Sequence, residues 1–190
     1  MESQFDLFVS GPPAPVGLEY KPDLLTAAEQ TELLRDFEPL PFRAFEFKGY
    51  LGKRRTVSFG WRYEFDREEL RESEPIPPFV LGVREKAAAF ADIAPKELQH
   101  VLVTEYGAGA AIGWHKDKSV FGVVIGISLL SPCVFRLRRK PGTKWERFSF
   151  TAEPGSAYLL KGPSRTQWEH SIPAVEKLRY SITFRNVRDR

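Results

Sequence analysis

The chain holds only three histidines, His100, His115 and His170. His115 stands two residues before Asp117. In an extended segment, alternate side chains share a face, so His115 and Asp117 point the same way. One strand end can then offer two ligands to one metal. His170, in the later β-like run Trp168–Ile172, completes a 2-His-1-carboxylate facial set. Such a set leaves positions open for a co-substrate and oxygen, as non-haem Fe(II) oxygenases require. His-x-Asp alone is also the pattern of a surface histidine beside a solvated aspartate.

The run Leu178–Val187 adds a second constellation. Tyr180, Ile182 and Phe184 form one apolar face. Arg179, Ser181, Thr183 and Arg185 form the other. On a surface strand that polar face meets water. In a closed or double-sheet structure it faces a cavity, where two guanidiniums are costly without anions. Arginine grips carboxylates through a bidentate fork, so two inward arginines fit a small dicarboxylate such as 2-oxoglutarate. Upstream, Lys53-Arg54-Arg55 runs into Trp61-Arg62-Tyr63. Interleaved cations and aromatics suit phosphate contact and base stacking, and equally an edge hairpin with a solvated face. Arg55, Trp61 and Tyr63 are the substrate candidates there. His100 opens an apolar strand and reads as structural. Cys133 reads as a small core residue, and Arg136, Arg138, Arg139 and Lys140 as a solvated face.

The elements that must position these groups are mostly short strands. Thr26-Ala-Ala-Glu29 reads as a capping box for a helix through Leu33, Leu34 and Phe37. A second helix runs through Val83, Ala87 and Phe90. Residues 1–22 read as an extended lead-in. From residue 98 onward, β-rich runs follow one another between turn signals such as Pro141-Gly142 and Pro154-Gly155, the texture of a sandwich or jelly roll. The expected class is α+β, one domain over 1–190, with an N-terminal helical and lid region (1–97) and a β core (98–188). Twenty-eight basic against twenty-five acidic residues leave a charge of only +3, so any nucleic-acid contact must come from a local patch. One cysteine excludes an internal disulfide and favours a reducing compartment. With no signal-like N-terminus and no apolar run of membrane length, the expectation is a cytoplasmic protein that uses no membrane.

His115-x-Asp117, the distant His170 and Arg179-x-x-x-x-x-Arg185 within RYSITFRN together resemble the AlkB family of Fe(II)/2-oxoglutarate-dependent dioxygenases. The match covers roughly residues 98–188, and Tyr106, nine before the first ligand, sits where that family keeps a co-substrate tyrosine. The resemblance implies a double-stranded β-helix, with Fe(II) on His115, Asp117 and His170. It implies 2-oxoglutarate held by Arg179 and Tyr106, with Thr104 alongside, and Arg185 bracing Asp117. It implies that O2 and 2-oxoglutarate are consumed, that succinate and CO2 are released, and that an N-linked methyl leaves as formaldehyde. The partner implied is alkylated DNA or RNA in single-stranded form, under a nucleotide-recognition lid near Arg54–Tyr63; no obligatory protein partner is inferred. The alternative is the same chemistry on a protein or small molecule. Two departures bear on this choice. Thr104 stands where the repair members often have Asn, and Ser119 where they often carry a second acid that reads the base.

Overall fold

A computed structural model describes residues 13–47, 50–64, 67 and 69–188. Its helices form where the sequence signals them. Thr26 caps α1 (Ala27–Phe37), accepting at 3.3 Å from the Glu29 amide, while the Glu29 carboxylate accepts at 2.8 Å from the Thr26 amide. This reciprocal pair satisfies two donors that a helix start leaves orphaned. Helix α2 (Leu81–Ala91) follows a proline-led turn and buries Val83, Ala87, Ala88 and Ala91.

The strands are β1 (Leu18–Lys21), β2 (Arg43–Phe47), β3 (Tyr50–Phe59), β4 (Trp61–Glu64), β5 (Glu69–Glu72), β6 (Leu98–Tyr106) and β7 (Ile112–His115). After them come β8 (Phe121–Leu129), β9 (Cys133–Arg139), β10 (Glu146–Ala152), β11 (Ala157–Leu160), β12 (Glu169–Ile172) and β13 (Arg179–Val187), with the short helix α3 (Gly162–Thr166) between β11 and β12. They build a seven-stranded sheet in the order β1-β11-β8-β13-β6-β3-β2 and a four-stranded sheet in the order β10-β9-β12-β7. Every pairing in these sheets is antiparallel. From β6 onward the chain crosses repeatedly between the two sheets, which is the jelly-roll arrangement expected from the strand-rich texture. Strands β4 and β5 form a separate hairpin.

The large sheet separates two cores. On its outer face Val101, Val103, Ile125, Ile127, Ile182 and Phe184 pack against Leu33 and Phe37 of α1 and Val83 and Ala87 of α2. Between the sheets, Phe135, Leu137, Tyr158, Leu160 and Ile172 form the second core. The alternation in β13 therefore runs as its residue types require, with Ile182 and Phe184 on the helix side. Thr183 and Arg185 line a cavity on the other side.

Two glycines have a steric reason. A Cβ on Gly126 would come within 2.1 Å of the Tyr158 ring, which crosses β8 there. Gly60 has φ +74°, and a Cβ on it would stand 2.0 Å from the Gln99 carbonyl oxygen. Only glycine suits that left-handed junction, where β3 hands over to the hairpin.

The structure corrects three expectations. Part of the presumed lead-in is β1, a four-residue edge strand whose sequence, LEYK, carries little strand signal. Trp168 lies outside β12, because α3 and its C-cap Gln167 precede it. Strand β7 ends at His115, so Asp117 is carried by the segment just beyond the strand.

Candidate active site

His115 on β7 and His170 on β12 are direct cross-strand partners. Their ring centroids lie 4.2 Å apart. One ligand atom from each of His115, Asp117 and His170 falls within 4.8 Å of the others. The Asp117 carboxylate is split between two tasks. Oδ1 accepts from Arg185, at 2.8 Å from Nε and 2.6 Å from Nη2. Oδ2 is buried, has no hydrogen-bond partner, and stands 3.5 Å from His170 Nε2. A buried oxygen left unmatched is costly, and a cation between it and the imidazoles removes that cost. The His115 Nδ1 lies 2.8 Å from the Gly113 carbonyl oxygen. Donation from Nδ1–H to that carbonyl leaves Nε2 as the ligand nitrogen.

Electrostatics keep His170 and Asp117 in ligand form. Burial pushes the His170 pKa down to about 3, with help from His115, so the imidazole is neutral. Burial alone would raise the Asp117 pKa, but the charges around it, the Arg185 guanidinium first among them, outweigh it and hold the carboxyl well below its usual range. A neutral His170 imidazole beside an ionised carboxylate, with His115 oriented by the Gly113 carbonyl, is a donor set that fits Fe(II). His100 is buried at the cavity wall and its pKa is also driven down, by burial and then by Arg185. Its Nδ1 lies 3.3 Å from Arg185 Nη1. Arg165 of α3 donates to the carbonyls of Lys118 and Phe121 at 2.7 and 2.9 Å, pinning the segment that follows Asp117.

The three metal-site candidates open onto a cavity of about 640 Å³. Its floor is the inner face of the large sheet, where three strands in register set Arg54, Tyr106 and Arg179 in one row. Thr56, Thr104 and Ser181 form the next row. Tyr106 and Thr104 line the cavity. Arg179 shares that face but does not line the open space. It is 1% exposed, its guanidinium carbon lies 4.8 Å from the Tyr106 ring centroid, and its Nε donates to Ser128 at 3.2 Å. Its Nη1 is buried without a hydrogen-bond partner. A sequestered cation with a spare donor and no carboxylate beside it fits a carboxylate ligand arriving next to Tyr106.

The three substrate candidates part company. Tyr63 lines the cavity, with the Lys118 ammonium 5.1 Å from its ring centroid. Trp61 sits in the β4–β5 hairpin opposite Glu72 and does not line the cavity. Arg55 is turned to the other face of β3, where its Nε and Nη2 grip Glu105 at 2.7 and 2.8 Å. The cavity position belongs to its neighbour Arg54. The register Arg54↔Tyr106 decides this, since a shift of one residue exchanges the faces of a strand. Lys48 and Gly49 lie outside the described residues.

Sequence reasoning passed over Arg54, the clamp Arg165, and His100 as a neighbour of Arg185. Two adjacent arginines gave no sign of which faced inward, and His100 carried no ligand spacing. Arg136 and Arg138 point outward from the small sheet, as expected, and Arg138 stacks between Trp114 at 4.4 Å and Trp145 at 4.5 Å.

Comparison with known proteins bears on what this arrangement is. Residues 17–185 match the family described as the 2OG-Fe(II) oxygenase superfamily. The chain belongs to that superfamily. Relatives place this oxygenase among the AlkB-like members. It is 26% identical over 200 residues to an Arabidopsis thaliana protein named alkylated DNA repair protein ALKBH8 homolog, covering 90% of this chain and 56% of that one. It is 33% identical over 157 residues to the Bos taurus alpha-ketoglutarate-dependent dioxygenase alkB homolog 7, mitochondrial, covering 80% and 65%. The oxygenase thus spans between half and two thirds of the length of these relatives. The solved structure of OsALKBH1 superposes with a TM-score of 0.67 over 93% of this chain and 100% of that one, at 17% identity, which shows a shared fold. Superfamily membership implies Fe(II), 2-oxoglutarate and O2. No helix among the described residues is long and apolar enough to cross a membrane.

Proposed function

We propose that this oxygenase demethylates alkylated bases in DNA or RNA, with Fe(II) held by His115, Asp117 and His170. The reading is carried by a buried His-Asp-His cluster beneath a cavity whose lining combines Tyr63 with Lys116 and Lys118. Aromatic faces stack bases and lysines meet phosphates. One relative's name, alkylated DNA repair protein, points the same way.

When bound, Fe(II) supplies the activation of dioxygen at the expense of 2-oxoglutarate, by which a substrate C–H bond is oxidised. The protein supplies the geometry. Gly113 orients His115, and Arg185 holds one oxygen of Asp117 so that the other stays available. Arg179, with Tyr106 and Thr104, receives the distal carboxylate of 2-oxoglutarate. Tyr63, on the hairpin beside the cavity, excludes water once a base has entered. An N-methyl group hydroxylated there becomes a hemiaminal, whose C–N bond breaks to release formaldehyde.

A second reading keeps the oxidation but takes a protein or small-molecule substrate. What favours it is the placement of Arg55 and Trp61 outside the cavity. Formaldehyde release measured in parallel on methylated single-stranded DNA, RNA and a methylated histone peptide separates the two. Release from an oligonucleotide is expected; release from the peptide alone would replace the first reading with the second.

A further inference from the structure

Arg54 lines the cavity beside Tyr106. Its guanidinium carbon lies 3.8 Å from the Phe45 ring centroid. No hydrogen bond or ion pair holds it among the described residues. Burial draws its pKa down from the usual value, and Arg185 adds like-charge repulsion. Asp117 is the only acidic side chain lining the cavity among the described residues, and Arg185 already pairs with it. Arg54 and Arg185 therefore face one carboxylate between them. Loading the site leaves that imbalance as it stands, because the two charges of Fe(II) and the two of 2-oxoglutarate cancel.

A guest with a fixed positive charge thus finds no counter-charge and meets an unpaired arginine. In a partly desolvated site, like charges repel strongly. A guest with a carbonyl oxygen gives the Arg54 N–H groups an acceptor. Resting on the nucleic-acid reading, we propose that the lesion is a neutral, carbonyl-bearing methylated base of the 3-methyluracil type, with Arg54 donating to its carbonyl oxygen. Cationic lesions such as 3-methylcytosine are disfavoured. The two bases match closely in shape: one carries a carbonyl oxygen and no charge where the other carries an amino group and a positive charge. Arg54 then acts as a specificity residue, choosing by charge.

The test uses two single-stranded oligonucleotides of one sequence, carrying either 3-methyluracil or 3-methylcytosine. Formaldehyde release gives kcat/KM, and fluorescence anisotropy with metal-free protein gives affinity apart from turnover. The expected preference for 3-methyluracil in kcat/KM is at least about tenfold, the least that a like-charge clash of this kind imposes. Affinity should follow the same order. Arg54→Gln should narrow the preference and Arg54→Glu should invert it, with melting temperatures confirming that each variant folds. If Arg54→Glu does not fold, Arg54→Lys should retain the parent's order. Equal or better use of 3-methylcytosine by the parent overturns the proposal and leaves nucleic-acid demethylation standing. Turnover of neither oligonucleotide, with 2-oxoglutarate still consumed, overturns both. A raised KM for 2-oxoglutarate in Arg54→Gln, with the lesion ratio unchanged, assigns Arg54 to the co-substrate and also overturns it.

Discussion

Arg179 and Arg55 are both arginines on strands of the large sheet, and their surroundings divide them. Arg179 is enclosed, with one nitrogen on Ser128 and another unpartnered. Arg179→Ala should raise the KM for 2-oxoglutarate by about 30-fold or more, the scale for losing a charge-assisted pair away from water. Arg179→Lys should recover only part of that, because an ammonium cannot reproduce the planar fork. Steady-state kinetics at varied 2-oxoglutarate reads both; an unchanged KM in the alanine variant would remove Arg179 from co-substrate binding. Arg55 has a half-exposed side chain paired with Glu105. Arg55→Ala should leave the salt dependence of oligonucleotide binding unaltered and cost no more than about 1 kcal/mol of stability, as exposed pairs do. A shallower salt slope would put Arg55 back at the phosphates. The metal candidates were legible in the sequence because few histidines exist to choose from and their spacing is informative. The choice between Arg54 and Arg55 was not, because it depends on a register that only cross-strand pairing fixes.

At the scale of elements, α1 is where local sequence and structure agree most closely. Thr26, Glu29, Leu33 and Phe37 carry the cap and the buried stripe, all within a few turns of chain. Glu29 also reaches Lys86 on α2. Its hydrogen bonds to Lys86, then to the Thr26 backbone and side chain, lower its pKa from 4.5 to about 2. A carboxylate with a depressed folded-state pKa contributes stability above its unfolded value and loses it as pH falls through the folded one. Glu29→Gln should therefore differ most from the parent above pH 4.5, with the gap closing toward pH 2. Solvent screening limits the difference to about 1 kcal/mol. Urea melts across that range measure it, and a gap that widened in acid would contradict the assignment. Edge strand β1 and the short helix α3 escaped the sequence reading for the opposite reason. Their stability comes from partners remote in the chain, such as the pairing of Leu18 with Leu160.

Across the whole molecule, the large sheet is a partition between a helix-packed core and a polar reaction chamber. Strand β13 serves both sides, with Phe184 fully buried toward the helices and Arg185 toward the metal-site candidates. Phe184→Ala should cost about 3–5 kcal/mol, the range for deleting a buried aromatic ring. The accompanying loss of activity should track the unfolded fraction, because the deleted ring touches no chamber group. Chemical denaturation together with activity per folded molecule checks both. Full activity loss in a folded variant would show that the partition transmits strain. The alternation that separates these faces was legible in RYSITFRN, as was Tyr63 as a substrate candidate; the partner strand β5 that pairs with it was not.

Among the described residues, strand β7 pairs with β12 alone and meets it at two register points, His115↔His170 and Ile112↔Ile172, with an irregularity between them. An ion gripped by both histidines would be a rivet through that joint. Iron supply would then govern how tightly the edge of the small sheet is fastened, quite apart from turnover. Hydrogen exchange followed before and after chelation should show the amides of residues 112–115 opening first, while those of β13 stay protected. Uniform exchange across both strands would mean that the joint holds without its rivet. In the first case, a chain deprived of iron would offer proteases a loose end well before it unfolds.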